Sequence, residues 1–180
     1  MTSATEYLRP IETGMARSEI EALAERIRIE TGVQTGYDLD ELISTRSGRV
    51  RRIDFEDHWP HALRVEPDGS FEVCFSTHRP ARCSNTTMAV EFGHIVLHWQ
   101  RVRDLHPGTG MRIPVRIDGA DEELIRSRQE ARFFADAFLM PAALAREVFQ
   151  KGGANAVADT FGVTIMRAEV RMTRLLKYAS

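Results

Sequence analysis

Apolar residues recur along this chain with two different spacings, and the change of spacing marks where helices give way to strands. Between Ser18 and Gly32 the apolar positions Ile20, Leu23, Ala24 and Ile27 stand three and four apart, which places them on one helical face. Ser18-Glu19-Ile20-Glu21 has the pattern of a capping box at the start of that helix, and Gly32 is a natural stop. A second, shorter helix is expected from Asp38-Leu39-Asp40-Glu41, with Leu39, Leu42 and Ile43 turned inward and an end near Ser47-Gly48. The period then falls to two. Residues 50–55, 62–65 and 71–75 read as strands of a small antiparallel sheet, the last two joined by the turn Glu66-Pro67-Asp68-Gly69-Ser70.

Helical spacing returns after Pro80, where Met88, Phe92, Ile95, Val96 and Trp99 predict a largely buried helix over residues 81–99. Residues 100–120 contain two prolines and three glycines and read as a long loop with an edge strand at 112–117. A long helix over 121–140 stops at Pro141, and a short one over 141–150 ends at Gly152-Gly153. Two more, 154–161 and 164–178, flank Gly162-Val163. The whole is an α+β chain read as one domain over 1–180, with a core over 18–150 and a helical tail over 154–178.

Composition narrows the partners. With 24 basic against 26 acidic residues in 180, the net charge is -2, so no global field draws the chain to nucleic acid or to an anionic membrane. No apolar run approaches the ~20 residues that span a bilayer and the first thirty residues hold no signal-like segment, so a cytoplasmic protein is expected. Cys74 and Cys83 are then expected as reduced thiols without assigned chemistry.

The segment Val90-Glu91-Phe92-Gly93-His94 looks like a zincin helix, H-E-x-x-H, with its first histidine changed to valine. In the intact motif two imidazoles four residues apart grip one metal from one helical face, and the glutamate between them addresses the metal-bound water as general base. A second segment adds weight: Glu130-Ala131-Arg132-Phe133-Phe134-Ala135, running on to Leu139-Met140-Pro141, resembles the signature of the ImmA/IrrE metallopeptidases. That resemblance implies a zincin-like core in which Glu91 is the catalytic base and His94 and Glu130 are metal ligands. Val90 stands where the first histidine ligand would be. Arg132 replaces the usual asparagine and Phe138 the usual leucine. The likeness extends to a helical N-terminal portion, a small sheet before the motif helix, and a tail like Val157-Ala158-Asp159-Thr160-Phe161-Gly162-Val163-Thr164.

What the resemblance implies is a zinc-dependent endopeptidase that cuts a transcriptional regulator. The missing ligand changes that expectation, because two protein ligands hold zinc weakly where a catalytic site takes three. Zinc is therefore expected to be weak or absent, and His98, four residues beyond His94, is the candidate replacement ligand. Recruiting it would carry the metal one turn away from Glu91, and recruiting Glu91 itself would consume the base. A degenerate regulator that binds a partner protein, such as a repressor, is the favoured function. An active endopeptidase with a substitute ligand is the alternative.

A third reading is a DNA-binding regulator, since Arg167, Arg171 and Arg174 share a face of the last helix. Its bland counterpart packs that helix on the core through Val163, Met166, Val170 and Leu175. Three further histidine features are read as solvated loops rather than sites: His58-Trp59-Pro60-His61, His78 and His106.

Overall fold

The structure is a computed structural model describing residues 5–36, 39–54, 61–78, 80–116 and 118–177. Asp38, Phe55, His58, Trp59, Pro60, Ile117 and Tyr178, which entered the sequence reading, lie outside the described residues.

Strand β1 (Tyr7–Leu8) precedes helices α1 (Arg17–Thr31) and α2 (Leu39–Ser44), then strands β2 (Gly48–Ile53), β3 (Leu63–Val65) and β4 (Phe71–Ser76). The motif helix α3 (Ala81–His94) passes without a break into a π-helical turn, Ile95–Trp99, and then into α4 (Gln100–Leu105). Strand β5 (Gly110–Ile113) and helices α5 (Glu122–Leu139), α6 (Ala142–Phe161) and α7 (Ile165–Lys177) complete the chain. The α+β class is as the sequence implies. Helix α1 starts earlier than expected, because Glu19 reaches back to accept the Ala16 amide at 2.7 Å, so Ser18 lies inside the first turn rather than capping it. The two helices expected on either side of Gly152-Gly153 both form, within α6, and meet at a non-helical break where Gly152 takes φ -157° and Gly153 φ 66°.

The sheet is mixed rather than antiparallel. Its five strands run in the order β1-β5-β3-β4-β2, with β3 antiparallel to both neighbours, while β2 pairs parallel with β4 and β1 parallel with β5. Period-two spacing carries no information on strand direction, and β2 reaches its place beside β4 only because β3 inserts on the other side. The two-residue β1 is too short to leave a pattern. Every residue of β4 is buried, as suits a strand with neighbours on both edges and helices near its faces. The 66–70 turn forms as read: Gly69 takes φ 86° and donates to the Glu66 carbonyl at 2.9 Å.

Helices α3 and α5 pack more extensively than any other pair of elements. Their close approach explains Gly93, since a β-carbon there would sit 3.0 Å from the Ala131 carbonyl oxygen and 3.1 Å from the Phe134 ring. Phe92, Phe134 and Phe138 fill one side of this seam with ring centroids 5.6 to 6.0 Å apart. The other side carries the polar residues of the motif.

Candidate functional site

Val90, Glu91, His94 and His98 ride on α3 and its π-helical extension, and Glu130 faces them from α5. All five are buried. The π turn matters here because widening the helix by one residue per turn re-aims His98 relative to His94; such turns are frequent at functional sites. His94 Nδ1 lies 3.0 Å from His98 Nδ1, and His98 Nε2 lies 2.9 Å from Glu130 Oε2. The Thr13 and Gly14 amides donate to the two Glu130 oxygens at 2.8 and 2.9 Å.

The protons in this row follow from which groups can only accept. Burial alone would push the Glu130 carboxyl up, but the hydrogen bonds from His98, Thr13 and Gly14 outweigh it and hold the group below its ordinary value. An ionised Glu130 accepts only, so His98 Nε2 must carry a hydrogen. His94 itself is held neutral, since burial and the neighbouring His98 depress it well below the ordinary histidine value. His94 Nε2 is buried with no hydrogen-bond partner among the described residues.

Glu91 faces different surroundings. With Val90 it lines a cavity of about 320 Å³ together with Thr86, Arg128, Arg132 and Arg167. Only 1% of Glu91 is exposed, and burial pushes its carboxyl up to about 7 although the Arg128 guanidinium pulls it down. Its Oε2 has no partner among the described residues. Arg167 is tied to Asp136, whereas Arg128 and Arg132 have no ion pair among the described residues. Burial and repulsion from Arg128 and Arg167 lower Arg132. Val90 thus sits, 7% exposed, on the wall of a basic cavity, and Arg132, met in the sequence only as a departure from a family pattern, helps to form it.

The structure therefore joins His94, His98 and Glu130 in one hydrogen-bonded row and sets Val90 and Glu91 at a cavity. His78 and His106 are exposed. His61, read as part of an exposed loop, is instead 2% exposed and contacts Glu72. The arginines of α7 turn inward. Arg171 is fully buried, ion-paired with Glu21 at 2.8 Å and donating from Nε to the Met140 carbonyl at 3.2 Å, while Arg174 pairs with Asp136 at 2.9 Å. Met166, expected in the core, is 68% exposed at the mouth of the basic cavity. Sequence reasoning missed Thr13, Gly14 and Arg128 as partners of the site; a Thr-Gly pair ahead of a helix signals only a turn, and Arg128 sits two residues before Glu130 with nothing to mark its direction.

No curated protein matches the chain. Among solved structures it resembles a Mycobacterium tuberculosis transcriptional regulator, with a TM-score of 0.59 and 19% identity over 86% of this chain and 47% of that one. The chain thus spans about half the length of that structure, and at this identity the likeness is one of fold. The family model described as the IrrE N-terminal-like domain matches residues 49–173, a stretch that contains Val90, Glu91, His94 and Glu130, and the chain belongs to that family.

Proposed function

We propose that this chain is a regulatory member of the IrrE-like family, acting in the cytoplasm, whose hydrolytic centre has lost its zinc-binding competence and whose cleft binds a partner protein such as a repressor. The observation that carries this reading is Val90: the position that should supply the first imidazole instead presents an aliphatic wall to a basic cavity. The remaining donors fit a three-ligand zinc site poorly. Glu130 already accepts three N–H groups, and His98 stands between it and His94. Arg128 and Arg132, both lining the cavity, suit an acidic side chain of the partner.

One observation favours the alternative, an endopeptidase with a substitute ligand. The unpartnered His94 Nε2 and Glu91 Oε2 are the buried polar atoms that a bound group would satisfy. A bound zinc ion would supply Lewis-acid activation of water; this chain's own contribution would be His94 as ligand and Glu91 as proton acceptor. DNA binding through α7 has less support, because Arg167, Arg171 and Arg174 are engaged by Asp136 and Glu21.

Zinc titration of the unaltered chain, of Val90→His and of His94→Ala separates these readings. The expected result is no His94-dependent zinc binding in the unaltered chain and at least about tenfold tighter binding on restoring the i, i+4 imidazole pair. Zinc held by the unaltered chain and lost with His94→Ala, or a chelator-sensitive cut in a repressor, would overturn the proposal.

A further inference from the structure

A second cluster of ligating side chains lies away from the α3–α5 cleft, on the sheet. Among the described residues, His61, Glu72 and Cys74 form the one group of three whose ligand atoms all lie within 4.8 Å of one another. Glu72 and Cys74 alternate along β4 and so share a face, and His61 precedes β3, whose residue Leu63 pairs with Val73. Glu72 Oε1 is the hub, 3.1 Å from His61 Nε2 and 3.9 Å from Cys74 Sγ. All three residues are more than nine-tenths buried, at 2%, 7% and 1% exposure.

We infer that His61, Glu72 and Cys74 form a binding site for a divalent first-row transition metal of the zinc type. Tetrahedral zinc with ordinary bond lengths sets nitrogen and oxygen ligands ~3.4 Å apart and sulfur and oxygen ligands ~3.6 Å apart. The observed 3.1 and 3.9 Å differ from these by a few tenths of an ångström, within reach of side-chain rotation alone. The donor set is one imidazole, one carboxylate and one thiolate, the mixture that zinc and its neighbours accept and that calcium and magnesium do not. Glu72 is also oriented from outside, since Arg49 Nε lies 3.4 Å from its other oxygen, leaving Oε1 for the metal.

Electroneutrality favours the same assignment. Binding releases the Cys74 proton to solvent, so that thiolate and carboxylate together cancel the two charges of the ion. The guanidinium groups facing the cluster, Arg49, Arg51, Arg64 and Arg112, oppose a cation, but at longer range than the bonded anions. A cavity of about 300 Å³ lined by Arg49, Arg64, Glu66 and Glu72 reaches the cluster at Glu72. Burial and the Glu72 charge push the free thiol up to about 11, so without a metal Cys74 stays protonated and inert.

Cobalt(II) titration of the metal-stripped 180-residue chain tests the assignment, because a cobalt–thiolate bond gives a near-ultraviolet charge-transfer band, and the one cysteine lining the α3–α5 cavity, Cys83, is removed by a control variant. One equivalent of cobalt should raise that band. Cys74→Ser should abolish it, and His61→Asn should weaken binding by more than about a hundredfold, beyond what loss of an outer contact costs. Cys83→Ser, His94→Ala and Glu130→Gln should leave the band intact, which keeps this result independent of the cleft. No band in the unaltered chain, or a band that survives Cys74→Ser, overturns the inference. Cys74→Ala covers the case in which the serine variant does not fold: the metal-induced rise in melting temperature seen in the parent should be missing, and a rise retained in Cys74→Ala overturns the inference equally.

Discussion

The two sides of the α3–α5 seam are equally dry and chemically opposite. On one side Phe92, Phe134 and Phe138 stack without a polar atom; on the other Glu91, His94, His98 and Glu130 put four ionisable groups in comparable burial. The ring side gains from every atom removed from water. The polar side must spend hydrogen bonds to offset desolvation, and it does so unevenly, completely at Glu130 and His98 and incompletely at His94 Nε2 and Glu91 Oε2. The difference teaches where the fold's stability and the family's chemistry reside: rings hold the helices together so that unsatisfied groups can be kept beside them.

The largest expected effect lies on the ring side. Phe134 is fully buried between Phe92 and Phe138, so Phe134→Ala removes transfer energy and leaves a cavity, and about 3–5 kcal/mol of stability should go. Urea unfolding monitored by far-ultraviolet circular dichroism measures it. A loss below about 1 kcal/mol would mean that the seam is not the core it is taken to be.

On the polar side the prediction changes sign with pH. Glu91 has a folded value of about 7 against an ordinary 4.5, so the folded state holds this proton more tightly than the unfolded chain. Its contribution is complete at pH values below the ordinary carboxylate range and is lost as pH rises through about 7, a change of about 3 kcal/mol. His94 acts oppositely: depressed by burial, it costs stability only as pH falls below its ordinary value. Comparing the unaltered chain with Glu91→Gln at pH 5 and pH 8 isolates the glutamate, because His94 is common to both. The glutamine variant should be the more stable at pH 8 and lose that advantage at pH 5; equal stability differences at the two values would show that Glu91 is solvated.

This contrast also explains how far the sequence could be read. The motif helix and its partner were legible because Met88, Phe92 and Phe134 keep helical spacing, and because Glu91-x-x-His94 and Glu130-Ala131 are local patterns. The π turn at 95–99 was not, since a one-residue widening leaves the run of apolar residues unchanged. Nor was the pairing of Glu130 with the amides of Thr13 and Gly14, which lies across 117 and 116 residues of sequence and uses backbone groups that every residue carries. Val90 could be named as a lost ligand, but the basic character of its cavity depends on Arg128, Arg132 and Arg167 arriving from two other helices. Arg171 shows the same limit in reverse: its spacing with Arg167 and Arg174 suggests a solvent-facing stripe, and only the fold brings Glu21 of α1 and Asp136 of α5 to these side chains and makes Arg171 a buried link to Glu21.

The smallest expected effect tests whether burial, rather than polarity, decides what a charged contact is worth on α3. Near the start of this helix Arg82 pairs with Asp159 of α6 at 2.7 Å, with side chains 45% and 70% exposed. Water competes for both ions, salt screens them, and ordering two long side chains costs entropy, so such a pair contributes between about 0 and 1 kcal/mol. Arg82→Ala should therefore shift the urea midpoint little, and raising the ionic strength should remove even that difference. The Glu91 effect, inside the protein and beyond the reach of counterions, should survive the same salt. If Arg82→Ala proved as costly as Phe134→Ala, α6 and the N-terminal end of α3 would be coupled through charge, and the ring side of the seam would no longer account for how these helices are held.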